Sequence, residues 1–176
     1  MQMPQPDQAV IDRRETICRD LCELVAADCV IDSVEGRRAY DSDGLSAYRQ
    51  LPLAVVLPET VQQIAAVMKY CHKEGIKVVP RGSGTSLSGG ALPLADAVLV
   101  GLGKFNRILG VDYTNRCVVA QPGVTNLAIT QAVQADGFYY APDPSSQIAC
   151  SVGGNVAENS GGVHCLKYGL TTNNLL

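Results

Sequence analysis

Apolar residues recur at spacings of three and four across residues 8–31, at Val10, Ile11, Ile17, Cys18, Leu21, Leu24 and Val25. That spacing predicts an amphipathic helix. Residues 33–52 are polar and carry Gly36, Gly44 and Pro52, the composition of a connector. From Leu53 the pattern changes. "LAVVLP" reads as a short buried strand and "IKVVP" as another. Between them "ETVQQIAAVMKYCHKEG" reads as a helix. Thr60 with Gln63 makes a capping box at its start, and Gly75 marks its stop. Val61, Ile64, Ala65, Met68 and Cys71 are placed on its apolar face. Residues 53–80 are therefore expected to form strand–helix–strand. "AVLVGL", "RILGVD" and "RCVVAQP" follow as short strands, with turns at Gly103 and Lys104 and around residues 113–115, a local meander. "TNLAITQAVQADG" is a second helix, capped by Thr125 or Asn126 and stopped at Gly137, with Ala128, Ile129, Ala132 and Val133 toward a core. Residues 138–169 are read as mostly loop.

Composition narrows the class. Of 176 residues, 47% are apolar and 18% charged, enough apolar residue for a core. The net charge of −3 argues against a nucleic-acid surface. No apolar run approaches the ~18 residues of a membrane-spanning helix. The start, "MQMPQPDQAV", lacks the basic and apolar regions of a secretory signal. Seven scattered cysteines without a CxxC suit reduced thiols in a cytoplasm.

The chemistry is concentrated in glycine-rich stretches. "PRGSGTSLSGG", residues 80–90, has no lysine and so is not a Walker A loop. It lacks the third glycine of the Rossmann fingerprint, and Pro93 and a strand follow instead of a helix. Successive backbone N–H groups in a tight turn can still cradle an anion without a helix, and glycine lets a phosphate approach closely. Ser83, Thr85, Ser86 and Ser88 add hydroxyls. Arg81 either supplies charge or pairs with a carboxylate elsewhere. An idle omega loop is the alternative. A second stretch, "PDPSSQIACSVGGNVAENSGG", repeats the glycine pairs, hydroxyls and amides. Two such stretches suggest one long ligand with phosphate and ring parts, and a dinucleotide fits. Ala149, Ser151, Val152, Ala157 and Ser160 would leave room for a flat ring.

The remaining candidates have ordinary readings. Cys18 and Cys22 lie four apart on a helix with no further ligand at metal spacing. Cys150 and Cys165 lack an acid or base neighbour that would mark a nucleophile. His72 belongs to a surface, and "DRRETICRD" to a solvated helix face. "DSDGLSAYR" joins the first helix to the strand–helix–strand segment or contacts substrate. Asp143 and Glu158 cap turns or meet the ligand, rather than form an acid–base pair.

"PRGSGTSLSGG", "QPGV", "APDPSSQIACSVGGNVAENSGGVHCLKYGLT" and "DSDGLSAYR" resemble the FAD-binding domain of the vanillyl-alcohol oxidase (PCMH-type) flavoproteins. Within that group they are most similar to FAD-linked subunits of glycolate oxidase type. The resemblance covers residues 40–176. It implies an α+β fold of two subdomains, the second incomplete, preceded by an N-terminal helical segment over residues 1–39. It implies non-covalent FAD, since Thr85 stands where some relatives carry a tethering histidine. Pro80, Arg81, Gly82, Ser83, Gly84, Thr85 and Ser86, with Gly89 and Gly90, would wrap the pyrophosphate. Pro122, Gly123 and Val124 would pass the adenine. Pro142, Asp143, Pro144, Ser145 and Ser146, with Gly153, Gly154, Asn155, Ala157, Asn159, Gly161 and Gly162, would line the pyrophosphate, ribityl chain and isoalloxazine. His164 is structural or flavin-proximal.

The resemblance further implies oxidation of a small 2-hydroxy acid, glycolate to glyoxylate, by hydride transfer to flavin. D-lactate and D-2-hydroxyglutarate dehydrogenases are the nearest alternatives, and a truncated domain without cofactor is another. It implies partner subunits, one of them an iron–sulfur subunit, no nucleic acid, and a cytoplasmic place with peripheral attachment at the inner membrane through those subunits. The ending "GLTTNNLL" leads to the expectation that closing strands, a substrate domain and the catalytic base lie after Leu176.

Overall fold

The computed structural model describes residues 3–176, so Met1 and Gln2, the first residues of the stretch read as lacking a signal, lie outside it. Two compact units divide the chain, Met1–Lys104 and Phe105–Leu176.

The first unit is a four-stranded sheet with helices. Its strands are β1 (Val30–Ile31), β2 (Ala54–Val56), β3 (Lys77–Arg81) and β4 (Ala97–Gly101), in the order β1-β2-β4-β3. β2, β4 and β3 run parallel, and β1 is antiparallel on β2. The strand–helix–strand unit of residues 53–80 is present, but its two strands are not neighbours. β4 lies between them. The first strand of the expected meander thus belongs to this sheet, and only the other two pair as a hairpin. "AVLVG" does not alternate because every residue in it is buried, as in a parallel strand covered on both faces. Such a run carries no mark of its partner, which is why spacing alone assigned it to the meander.

The N-terminal helix is shorter than its pattern. It is two pieces, α1 (Gln8–Asp12) and α2 (Arg14–Leu24), joined at Arg13. Beyond Leu24 the chain extends at Val25 and makes a 3₁₀ turn at Ala27–Cys29. Val25 and Cys29 are buried in the core all the same. The helix face read as solvated is partly engaged. Arg13 donates to Glu74 Oε2 at 3.0 Å and to the Glu74 carbonyl at 3.1 Å. Arg14 donates to the Leu53 carbonyl at 2.9 Å. A short helix, α3 (Val34–Arg38), follows β1 within the expected connector. Its Arg37 is buried and donates to the Pro52 carbonyl at 2.7 Å.

α4 (Val61–Glu74) has both bonds of the capping box, Gln63 N–H to Thr60 Oγ1 and Thr60 N–H to Gln63 Oε1, and ends on left-handed Gly75. Its inward face differs from the expected one. Val67 and Cys71 are buried, whereas Val61, Ala65 and Met68 are exposed. The core packs Ile17, Cys18 and Leu21 of α2 with Leu53, Ala54, Val56, Val67, Cys71 and Val98. Burial pushes the Cys71 thiol up to about 11, so this thiol is protonated and inert at neutral pH.

The second unit holds a hairpin, β5 (Ile108–Asp112) antiparallel to β6 (Cys117–Ala120), with an irregularity between Ile108 and Gly110. α5 (Asn126–Val133) is capped by Thr125 and runs through a 3₁₀ turn to left-handed Gly137. Ile129 and Val133 are buried, but Ala132 is exposed. Residues 138–169 are mostly loop, as expected, but not wholly so. They contain α6 (Val152–Glu158) and α7 (Cys165–Tyr168). Gly153 and Gly154 open α6, so propensity pointed away from a helix. Ser151 Oγ, accepting from Gly154 N–H at 3.3 Å, caps it. No helix among the described residues is long and apolar enough to cross a membrane.

Asp96, 2% exposed just before β4, ties α1 to the sheet. Its Oδ2 accepts from the Asp7 N–H at 2.8 Å and from Lys77 Nζ at 2.7 Å. Burial would raise its carboxyl, but the Lys77 and Asp7 hydrogen bonds outweigh that and hold it below its usual value. Asp96→Ala should therefore cost about 1–3 kcal/mol of stability at pH 7. A carboxylate depressed in the folded state stabilises above its unfolded pKa. That share is lost as pH falls below ~4 and through the lower folded value. Urea unfolding at pH 7 and at pH 3 checks this. The gap between wild type and Asp96→Ala should be full at pH 7 and smaller at pH 3.

Candidate cofactor-binding site

In the first unit, the ladder of β3 with β4 ends on the pair Arg81 and Gly101. The loop of residues 82–91 leaves from there, at the carboxyl end of a parallel sheet, where ligands of open α/β sheets bind. No helix stands between this loop and β4. Among the described residues, the N–H groups of Ser83, Gly84, Thr85, Ser86 and Leu87 donate to no protein acceptor. Buried amides are nearly always paired. A run of free ones in a half-exposed turn is the donor set that a phosphate group needs, so these residues fit a pyrophosphate.

Arg81 is partly committed. Its Nη1 donates to the carbonyls of Ser42 at 2.7 Å and Tyr40 at 3.3 Å, and its Cζ lies 5.6 Å from the Tyr40 ring centroid. The opposite edge of the guanidinium lies under Gly84. A Cβ added there would sit 2.6 Å from Cζ and 2.7 Å from Nε. Gly84 has φ +68, a conformation that disfavours any side chain. Burial lowers the Arg81 pKa and the neighbouring Asp43 charge opposes that, leaving a cation beneath the free amides. Pro80 is exposed within β3, and Gly90 is exposed near the end of the loop.

In the second unit the expected cofactor segments are hydrogen-bonded to one another. Val152 N–H donates to the Val124 carbonyl and Gly153 N–H to the Pro122 carbonyl, both at 2.8 Å, and Gly123 N–H to the Phe105 carbonyl at 2.7 Å. Asp143 N–H donates to the Gly161 carbonyl at 2.9 Å, and Asp143 bridges Gly162 in parallel. Asn126, fully buried, donates through Nδ2 to the Pro142 carbonyl at 3.0 Å. The glycines here are filled by protein. A Cβ on Gly153 would lie 2.7 Å from Pro122 Cβ, and one on Gly162 would overlap the Asp143 backbone. Gly153 and Gly162 serve close approach of chain to chain.

Asp143 Oδ2 lies 2.6 Å from His164 Nδ1, and this hydrogen bond holds the Asp143 carboxyl below its usual value. Glu158 is exposed on α6. The two carboxylates are thus placed differently, and Asp143 is a hydrogen-bond partner of His164. Pro142 and Pro144 are buried, Ser145 and Ala157 are exposed, and Ser146 accepts the Ala149 and Cys150 N–H groups through its carbonyl. Asn159, in the left-handed region at φ 51, closes α6 and accepts from Thr172 N–H.

Three buried donors of this unit, Tyr140 Oη, Asn155 Nδ2 and Ser160 Oγ, have no partner in the protein, and the last two lie within residues 153–162. Buried polar atoms of this kind call for a ligand or water, which fits a polar cofactor chain passing α6. A cleft of about 870 Å³ elsewhere in this unit is walled by Tyr113, Phe138, Tyr140 and Val152, and meets only Pro122 and Gly153 of the expected residues. Asn155 and Ser160, which lie within the expected residues 153–162, are the better guide to polar binding, since that cleft is mostly apolar. Sequence reasoning passed over Asn126 as an anchor, Ser160 as a donor and Asp43 behind the first loop. The Asx-before-glycine pattern of "DSDG" was the available signal for the last.

A family profile described as "FAD binding domain" matches residues 52–176. The chain belongs to this FAD-binding family. FAD is therefore its cofactor. Glycolate oxidase subunit GlcD of Escherichia coli K12 is 61% identical over 93% of this chain and 33% of its own length. The GlcD of Bacillus subtilis is 40% identical over 80% of this chain and 30% of its own length. D-2-hydroxyglutarate dehydrogenase of Stutzerimonas stutzeri is 30% identical over 95% of this chain and 34% of its own length. The chain thus spans about a third of the length of these relatives. Among solved structures, an alkyldihydroxyacetonephosphate synthase superposes with TM-score 0.78 at 20% identity, over 97% of this chain and 32% of that one. p-Cresol methylhydroxylase superposes with TM-score 0.73 at 21% identity, over 90% and 31%. The α+β fold is that of the PCMH-type FAD-binding proteins.

Gly84→Val combines a disfavoured φ with a collision against the Arg81 guanidinium. FAD affinity should fall at least about tenfold, equal to ~1.4 kcal/mol, while the far-UV circular dichroism of β2, α4 and β3 is retained. Flavin fluorescence titration alongside the spectrum checks both.

Proposed function

We propose that this chain is the FAD-binding part of a flavin-dependent oxidoreductase that oxidises a small 2-hydroxy acid, glycolate to glyoxylate. The observation that carries this reading is the 61% identity to a glycolate oxidase subunit across 93% of the chain. When bound, FAD supplies the two-electron acceptor for the hydride of the carbinol carbon. The residues of this chain bind and orient. The N–H groups of residues 83–87 donate to the pyrophosphate oxygens, with the Thr85 and Ser86 hydroxyls beside them and the Arg81 charge beneath. Asn155 Nδ2 and Ser160 Oγ donate to the polar chain of the cofactor along α6. Residues 122–124, 142–146 and 153–162 form the connected framework of that half. The substrate-binding groups and the proton acceptor belong to the part of the relatives that lies beyond this match.

Partner subunits follow from the same reading, since the similar GlcD proteins are themselves subunits. An iron–sulfur subunit would take the electrons onward, in a cytoplasmic assembly held peripherally at the inner membrane. A second reading, a D-2-hydroxyglutarate or D-lactate dehydrogenase, is favoured by relatives at 30% and 36% identity.

The chain, incubated with excess FAD and desalted, should keep the visible flavin bands. A colourless chain that still unfolds cooperatively would overturn cofactor binding. For the substrate, the full-length protein should show a higher kcat/KM for glycolate than for D-lactate or D-2-hydroxyglutarate, and the reverse order would select the second reading.

A further inference from the structure

A loop whose amides from Ser83 to Leu87 are free has few hydrogen bonds of its own, Ser88 N–H to Ser86 Oγ and Leu92 N–H to the Gly89 carbonyl, both at 3.2 Å. Its shape comes mainly from the chain it rests on. The turn of residues 40–45 touches it at its entry, middle and exit. At the entry, the Ser42 and Tyr40 carbonyls accept from Arg81 Nη1. In the middle, Gly44 lies flat against the loop backbone. A Cβ there would be 2.6 Å from the Ser86 carbonyl oxygen and 2.8 Å from that of Thr85. At the exit, Asp43 Oδ2 accepts from the Ala91 N–H at 3.3 Å, while Oδ1 accepts from the Leu45 N–H at 2.9 Å. Asp43 is only 7% exposed, and a buried carboxylate is retained only where its oxygens are satisfied. A plain connector needs none of this. The turn also lies outside residues 52–176, which the family profile matches.

We infer that Asp43 and Gly44 are positioning residues for the pyrophosphate loop: they hold its backbone from behind in the shape that leaves five N–H groups free. Preorganisation of this kind raises affinity by removing the ordering cost from the binding step. The inference rests on the proposed FAD role of the loop, and its test separates the two.

The test uses the whole chain carrying Gly44→Ala, with Gly103→Ala as the control, because a Cβ at Gly103 would meet nothing within 4 Å. Two quantities are read: the rate of tryptic cleavage after Arg81 without FAD, and the FAD Kd by quenching of flavin fluorescence. Gly44→Ala should speed the cleavage and raise the Kd, each at least about tenfold, equal to ~1.4 kcal/mol in the Kd. Gly103→Ala should change neither. Asp43→Ala should repeat both effects. Asp43→Asn, which keeps a carbonyl acceptor for Ala91, should recover most of the affinity. An unchanged cleavage rate in both Gly44→Ala and Asp43→Ala would overturn the inference, as would faster cleavage with an unchanged Kd. If the wild-type chain binds no FAD, the functional reading fails, and the cleavage rate still decides whether the turn holds the loop.

Discussion

The first unit is built on β4. Its five residues are all buried, and it pairs in parallel with β2 on one side and β3 on the other. That register has two consequences. Val98 and Val100 join the apolar residues of α2, β2 and α4 in one core. Arg81 is brought level with Gly101, so β3 ends where β4 ends and the glycine loop begins at the carboxyl edge of the sheet. Without β4 in the middle, β2 and β3 would have no common neighbour, and the loop would have no fixed stem.

Three of the less exposed arginines are directed at backbone carbonyls. Arg14 and Arg37 both donate to carbonyls at the entrance to β2, and Arg81 donates to carbonyls of the turn behind its own loop. A guanidinium presents several donors in a rigid fork, which suits it to bracing chain ends that ladders leave unpaired. The proposed anion site consequently depends mainly on backbone N–H groups, with one cation beneath them. Such donors are set by chain geometry, so the site is as good as the support of the loop.

Glycine performs two distinct tasks. At Gly84 the backbone takes a left-handed turn above a guanidinium. At Gly153 and Gly162 the missing side chain lets residues 122–124 and 142–144 approach within hydrogen-bond reach. Both kinds look the same as letters. The second kind gathers the expected cofactor segments of the second unit into one connected framework, leaving Asn155 and Ser160 as its unpartnered donors.

Local chemistry was legible from the sequence alone. The Thr60–Gln63 box, the Thr125 cap, the stops at Gly75 and Gly137 and the strands around them depend on neighbours a few residues away, and all are present. The resemblance of the glycine stretches to a known family pointed to FAD binding, and the family profile over residues 52–176 bears it out. Only the tertiary structure decided where β4 goes, since a run buried on both faces carries no periodicity to name its partner. It also decided which side of α4 faces inward, that a helix opens on two glycines behind Ser151, and that "DSDG" braces a loop about forty residues ahead. Apart from the local Ser151 cap, these turn on contacts between residues distant in the chain, and the energy of such contacts is not written in the spacing of either partner.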